Sequence, residues 1–226
     1  MFSILLNTLM LNNMQPALLY KKLFALYGAQ GWWPVKSEFE GRGYHPNKFG
    51  LPATEKGKFE VCMGAILTQN TSWIQVEKAL NNLFAAKINT AEKILKTDSE
   101  TIAALITPAG YRNQKTMYLK NIAKWFVEAT IEELETMREE LLKVKGVGRE
   151  TADSILLYAF HLPTFVIDTY TKRALASLKI FDEKTNYEIL RKWFMENLEP
   201  SVELFQEYHA LFVEHGKRNT SLQTLM

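Results

Sequence analysis

Two glycines spaced one residue apart constrain this chain more than any other feature of its sequence. They lie in Lys145-Gly146-Val147-Gly148, between an amphipathic stretch that ends near Val144 and a second one over 150–160. Both stretches are predicted to be helices, and glycine permits the backbone angles of a tight turn between them. The second helix would present unpaired N–H groups and the positive end of its dipole at its N-terminus. This unit therefore favours binding of an anion such as a DNA phosphate.

Basic residues flank this turn, although the chain as a whole is nearly neutral. Its 226 residues carry a formal net charge of +2, so nucleic-acid binding would depend on a local patch. Lys145 and Arg149 supply such a patch beside the turn. The candidate phosphate-binding residues are therefore Lys145, Gly146, Val147, Gly148 and Arg149. Lys217 and Arg218 could extend the basic track, but basic residues near a chain terminus more often only face solvent.

The composition fits a folded protein of a reducing compartment. The chain is 47% hydrophobic and contains a single cysteine, Cys62. One cysteine excludes a disulfide framework and a thiolate metal site within one chain. The first fifteen residues lack the basic region and cleavage site of a signal peptide, and no apolar run is long enough for a membrane span. We therefore expect a cytoplasmic protein that associates with no membrane.

Helical periodicity predominates, and no stretch shows sustained apolar–polar alternation. The sequence predicts an all-α protein of about ten helices in two lobes. One lobe would be a bundle over residues 58–161 that carries the helix-turn-helix unit at about 137–160. The other would combine residues 1–57 and 162–226, so that both chain ends meet. Asp168 would then lie near the lobe junction, where we expect an active-site cleft.

Several segments together resemble the helix-hairpin-helix DNA glycosylases of the endonuclease III superfamily. The glycine turn is followed by Pro163 and by Asp168 in the setting Val-Ile-Asp-Thr. The segments FEVCMGAILTQNTSW, PAGYRNQK and FQEYHALFVEHGKR match further blocks in the expected order, so the resemblance covers about residues 58–218. The Gln-Gly-Trp-Trp-Pro segment is most similar to the 3-methyladenine glycosylases of endonuclease III type. The resemblance implies a monomer that binds double-stranded DNA containing a damaged base.

Three site assignments follow from this resemblance. Asp168, twenty residues after Gly148, falls on the catalytic carboxylate of the superfamily. Gln69 falls on the residue that fills the space left by the flipped nucleotide. The loop that wedges into the opposite strand corresponds to Gly110, Tyr111, Arg112 and Asn113. Structural alternatives exist, because Asp168 is also suited to cap the helix that follows and Gln69 to cap a neighbouring helix.

Two departures from the superfamily pattern bear on chemistry. Bifunctional members carry a lysine two residues after the last hairpin glycine, where this chain has Glu150, which cannot form a Schiff base. Many members also continue into four cysteines that hold an iron–sulfur cluster, and no cysteine follows Lys217 here. The sequence therefore predicts no lyase activity, no iron–sulfur cluster and no other metal centre. Whether a monovalent cation binds the hairpin carbonyls stays open.

Trp32 and Trp33 are the candidate base-pocket residues. An indole face can stack on a flipped base and attracts a cationic alkylated purine in particular. In the alternative interpretation, both tryptophans only anchor a long irregular segment to the core. His209, on a helix rich in aromatic residues, is interpreted as a core histidine.

The leading hypothesis is a monofunctional glycosylase that excises an alkylated purine such as 3-methyladenine in base excision repair. The alternatives are an endonuclease III-like enzyme for oxidised or mismatched pyrimidines and a non-catalytic helix-hairpin-helix DNA-binding protein.

Overall fold

The computed structural model describes residues 16–38, 43–130 and 133–218. Within these ranges the chain forms eleven α-helices and one short 3-10 helix. An antiparallel bridge joins Val35 to Gly43, and the described residues form no strand. The predicted all-α class is therefore confirmed. None of the described helices is long and apolar enough to cross a membrane. The predicted placement of residues 1–15 and 219–226 lies outside the described residues.

The helices carry the following labels in chain order. They are α1 (Pro16–Tyr27), α2 (Glu55–Leu67), α3 (Trp73–Ala85), α4 (Ala91–Lys96), α5 (Ser99–Leu105), the 3-10 helix (Thr107–Ala109), α6 (Arg112–Glu128), α7 (Leu134–Lys143), α8 (Arg149–Tyr158), α9 (Thr169–Ser177), α10 (Tyr187–Asn197) and α11 (Val202–Arg218). The predicted helix-hairpin-helix is the pair α7 and α8.

The described residues divide into two compact units. The first comprises residues 16–32, Tyr44–Phe49 and 163–218, and the second comprises residues 33–38, 43, 50–130 and 133–162. The sequence predicts that all of 1–57 belongs to the lobe that contains the chain ends. The structure instead groups 33–38 and 50–57 with the helical bundle.

Two anchors explain why the segment after Trp32 belongs to the second unit. The Trp33 ring packs against the rings of Trp73 and Tyr158, with centroids 5.5 and 5.2 Å away. Glu60 on α2 is fully buried, and its carboxylate accepts hydrogen bonds of 2.9 Å from the backbone N–H groups at positions 36 and 37. Both anchors are long-range contacts, which local sequence patterns do not reveal.

Aromatic side chains form the core of the first unit, where α1, α9, α10 and α11 pack together. The Phe165 and Phe194 rings stack with centroids 3.7 Å apart, and Tyr208 packs edge-on against both. The Tyr208 hydroxyl donates to the Pro16 carbonyl at 2.9 Å, which joins α11 to the start of α1. This core fixes α11 relative to the residues that precede α9.

A buried ion pair joins the two helices of the hairpin in the second unit. Arg138 on α7 donates from Nε and Nη2 to the two carboxylate oxygens of Asp153 on α8, at 2.8 and 3.1 Å. Both side chains are buried. A bidentate pair of this kind fixes the relative orientation of its helices as well as their distance.

We expect Asp153→Asn to destabilise the protein by about 3–5 kcal/mol, because it breaks a buried, bidentate ion pair by removing one of the two charges. Urea unfolding measures the loss. The matched control is Glu183→Gln, which removes the partner of Arg173 from a solvent-exposed pair 3.7 Å apart. That change should cost about 1 kcal/mol or less. Equal effects of the two substitutions would show that the buried pair has no special role in stability.

Candidate functional site

The hairpin turn depends on the absence of a side chain at Gly146. This residue has φ +103°, and a Cβ atom there would lie 2.2 Å from the Tyr118 ring on α6. Gly148 is different, because its backbone is extended and a Cβ there would meet no atom within 4 Å. Lys145 and Arg149 are exposed on either side of the turn, whereas Val147 is buried. The N-terminus of α8 is thus bordered by exposed basic side chains, which add to the attraction of its N–H groups and dipole for an anion.

Gln69 contacts the hairpin directly. Its Nε2 atom donates to the Gly146 carbonyl at 2.8 Å and to the Thr151 hydroxyl at 3.1 Å. The cap residues of the adjoining helices are Thr68 and Ser72, so Gln69 caps neither helix and the cap interpretation is wrong. Its role in filling the duplex stays a prediction. In this structure the side chain links its own segment to the hairpin.

The candidate wedge turn presents an aromatic side chain to solvent. Gly110 and Tyr111 both have positive φ, of 70° and 46°, and the Tyr111 side chain is 67% exposed. Arg112 and Asn113 follow as the first exposed residues of α6, where they line a pocket of about 660 Å³ between α5 and α6. The turn thus has the exposure that insertion into a duplex would need.

Asp168 is both a helix cap and a buried carboxylate. Its Oδ1 atom accepts a hydrogen bond of 2.7 Å from the Thr171 N–H in the first turn of α9, so the predicted N-cap is confirmed. Its Oδ2 atom lies 3.7 Å from Nε2 of His209 on α11. Burial opposes ionisation, but His209 and Thr171 outweigh it and hold the pKa of Asp168 below its usual value. These two partners therefore favour the ionised form of the carboxylate.

An aromatic cluster, consisting of Trp32, Tyr44 and His209, lies beside this carboxylate in the first unit. The Trp32 ring is edge-on to His209 at 6.4 Å between centroids and is tilted against Tyr44 at 5.7 Å. Lys217 Nζ lies 5.1 Å from the centre of the Trp32 ring and 6.0 Å from that of Tyr44. The interpretation of His209 as only a core residue missed its contact with Asp168.

Two backbone features bring Tyr44 to Trp32. Gly31 has φ +71°, and a Cβ atom there would lie 2.2 Å from the backbone of His45. The His45 N–H also donates to the Gly31 carbonyl at 2.9 Å. Glu207 on α11 accepts hydrogen bonds from the N–H groups at positions 30 and 31, and burial raises the pKa of its carboxyl. Tyr44 lies in an irregular segment, so no periodicity could have indicated it.

Trp33 belongs to the second unit, where only 6% of its surface is exposed and its ring packs on Trp73 and Tyr158. This burial favours the loop-anchoring interpretation for Trp33 over a place in a base pocket.

The hairpin carbonyls already accept hydrogen bonds from the protein. The carbonyl of Val144 accepts from the Val147 N–H, and that of Lys145 accepts from the Asn121 side chain at 2.9 Å. The carbonyl of Gly146 accepts from Gln69, so the carbonyls of residues 144, 145 and 146 each have a protein donor. Within the described ranges, no three His, Cys, Asp or Glu side chains come together as metal ligands. The absence of a metal or cluster stays a prediction from the sequence.

Comparison with known families decides the class of the protein. Residues 63–200 match the HhH-GPD superfamily base excision DNA repair protein model. The chain belongs to this superfamily. A relative in Methanocaldococcus jannaschii, named "Putative DNA repair glycosylase MJ1434", is 41% identical over 209 residues, which cover 88% of this chain and 86% of that protein. Endonuclease III of Sulfolobus acidocaldarius is 29% identical over 169 residues, which cover 71% and 73% of the two chains.

Two solved structures share the fold of this chain. An H. pylori 3-methyladenine DNA glycosylase bound to 1,N6-ethenoadenine superposes with a TM-score of 0.73 at 26% identity, over 92% of this chain and 99% of that one. An endonuclease III in a non-covalent DNA complex gives a TM-score of 0.68 at 19% identity, over 88% and 83% of the two chains. The second likeness shows the shared fold alone.

For this HhH-GPD protein we expect Gly146→Ala to weaken DNA binding and to destabilise the fold by at least about 1–3 kcal/mol, the usual cost of a strained backbone. The new methyl group would overlap the Tyr118 ring and would force a positive φ on alanine. Urea unfolding and fluorescence anisotropy with a duplex measure the two effects. Gly148→Ala is the control for folding, since a Cβ there meets nothing. A Gly146→Ala protein as stable as Gly148→Ala would contradict this account of the turn.

Proposed function

We propose that this HhH-GPD protein is a monofunctional DNA glycosylase that flips a damaged base and hydrolyses its N-glycosidic bond with Asp168. The observation that carries the proposal is a buried carboxylate that lies 3.7 Å from His209, a member of the aromatic cluster. An Asp that served only as a helix cap would need neither the burial nor the neighbouring His209. A protein that only bound DNA would also need neither the burial of this carboxylate nor His209 beside it.

The chemistry requires stabilisation of positive charge on the sugar. When the N-glycosidic bond breaks, its electron pair leaves with the base and the deoxyribose becomes oxocarbenium-like. The Asp168 carboxylate offers a negative charge to that centre in a site of low exposure, where such an interaction is strong. Water then adds to the sugar, and its proton passes to the carboxylate or to solvent. His209 would keep the carboxylate ionised and oriented.

An alkylated purine is the substrate that the aromatic cluster favours. Alkylation at N3 makes the purine cationic while it is in DNA, so it departs as a neutral base and needs no proton from the enzyme. A cation over an indole face gains about 0.5–2 kcal/mol, depending on its exposure to water. Lys217 already places a cation over the Trp32 ring, 5.1 Å from its centre, which is the kind of contact that a cationic purine would make. The H. pylori relative, a 3-methyladenine glycosylase by name, supports a purine lesion.

The alternative substrate is an oxidised or mismatched pyrimidine. It is supported by the relatives that carry the name endonuclease III, among them that of Sulfolobus acidocaldarius. The two substrate classes differ in charge, because oxidised pyrimidines are neutral in DNA and would gain less from the Trp32 face. The cluster therefore favours the purine.

We expect the wild-type protein to release 3-methyladenine from methylated duplex DNA faster than it releases pyrimidines from duplexes with thymine glycol or a G·T mismatch. Asp168→Asn should abolish release while DNA affinity stays nearly unchanged, since asparagine can still cap α9. Released bases are quantified by chromatography, and affinity is measured by anisotropy.

Asp98→Asn is the matched control for this experiment. Asp98 also caps a helix, accepting a 2.8 Å hydrogen bond from the Thr101 N–H at the start of α5, but it has no place in the proposed reaction. Asp98→Asn should release base at the wild-type rate. Full activity of Asp168→Asn would overturn the mechanism, and preferential release of pyrimidines would establish the alternative substrate.

We also expect no covalent complex when the protein is incubated with abasic duplex DNA and borohydride. Glu150 lies exposed in the first turn of α8, at the position where bifunctional members carry the attacking lysine. Denaturing electrophoresis detects a trapped complex, and a lyase-competent endonuclease III serves as positive control. A trapped complex at a yield similar to that control would show lyase activity and require another amine as its nucleophile.

A further inference from the structure

Lys115 on α6 has an unusual environment for a lysine. Only 2% of its surface is exposed, and its ammonium group donates to the carbonyls of Leu67 and Ala109 at 2.7 and 2.8 Å. Both partners are neutral backbone groups, and the described part of the chain provides this ammonium with no ion pair. Burial lowers the pKa of Lys115 to about 8, which reflects how poorly its surroundings replace water.

The two carbonyls belong to the segments that precede the candidate DNA-contacting residues. Leu67 is the last residue of α2, and Gln69 follows two positions later. Ala109 is the last residue of the 3-10 helix, and the wedge turn begins with the next residue, Gly110. One ammonium group therefore holds the starting points of both segments. The carbonyls at the C-terminal end of α2 carry partial negative charge, which favours a cation there.

From this geometry we propose that Lys115 is a positioning residue that holds the Gln69 segment and the Gly110–Asn113 turn in register, so that both enter the duplex together. The inference rests on the proposed function, because it takes these two segments as the ones that distort DNA. Lys115 itself would touch neither the base nor the sugar. Its effect would come through the carbonyls that it holds.

The rest of the second unit fits a connected arrangement of this kind. Gln69 donates to the hairpin at Gly146, and Asn121 on α6 donates to the hairpin at Lys145. The Gln69 segment, the Gly110–Asn113 turn and the hairpin are thus joined by three side chains. Two of these side chains, Lys115 and Asn121, come from α6. A methionine at position 115 would fill a similar volume but would leave two buried carbonyls without their donor.

The test separates DNA binding from DNA distortion. Lys115→Met removes the donors, and Lys115→Arg keeps a charged donor. The matched control is Lys120→Met, because Lys120 on the same helix donates to a single carbonyl, that of Thr97 at 2.7 Å, outside both segments. Binding is measured by anisotropy with an undamaged duplex. Distortion is measured by the fluorescence of 2-aminopurine beside a stable abasic analogue, and catalysis by single-turnover release of 3-methyladenine.

We expect Lys115→Met to bind the undamaged duplex like the wild type, since the hairpin contacts remain. The 2-aminopurine signal should fall, and base release should slow by about 10- to 100-fold, as is common when reacting groups are displaced by about 1 Å. Lys115→Arg should retain much of the 2-aminopurine signal and much of the rate of base release. Lys120→Met should match the wild type in all three assays. Thermal unfolding checks that each variant is folded.

Several results would overturn the proposal. Wild-type distortion and release by Lys115→Met would show that the lysine positions nothing. An equal loss of undamaged-duplex binding and of distortion would indicate a general effect on folding, as would failure of both Lys115 variants to fold. The proposed glycosylase function has its own test, because it would be contradicted if the wild type releases no base. In that case a Lys115-dependent 2-aminopurine signal would still support the positioning role.

Discussion

Backbone outside helices and strands still needs hydrogen-bond partners for its buried N–H and C=O groups. In this protein the candidate functional segments are irregular and face this requirement. Side chains on neighbouring segments meet this requirement. In the second unit, backbone carbonyls accept hydrogen bonds from Lys115 and Asn121 on α6 and from Gln69 before α3. In the first unit, a backbone N–H group donates to Glu207 on α11. An unpaired buried backbone group costs about as much as a lost hydrogen bond. The loops are therefore held in specific conformations by side chains of neighbouring segments, and a loop that binds DNA starts close to its working geometry.

Asp168 combines two roles that are usually assigned to different residues. The same carboxylate caps α9 through Thr171 and faces His209. Capping anchors the carboxylate rigidly, because a side chain that accepts a short backbone hydrogen bond cannot change its rotamer freely. In the proposed reaction, the negative charge would be oriented before the substrate arrives and would need little reorganisation.

The parts of the fold that depend on local sequence could be predicted, and those that depend on distant contacts could not. The hairpin, its two helices and the cap at Asp168 follow from glycine spacing, periodicity and residue type. Trp32 and Trp33 show the limit, because these neighbours lie in different units and have different partners. Tyr44 follows Trp32 by 12 residues and Tyr158 follows Trp33 by 125, and no pattern around the tryptophans indicates which partner each ring will meet. The boundary between the units was misplaced for the same reason.

The single cysteine of the sequence has a consequence for labelling chemistry. Cys62 is fully buried in α2, and burial raises the pKa of its thiol, so little reactive thiolate forms at neutral pH. A cysteine introduced at an exposed position, such as that of Tyr111, would therefore react with a maleimide dye almost alone. Cys62 therefore does not have to be replaced before a dye at position 111 is used to report on the wedge turn.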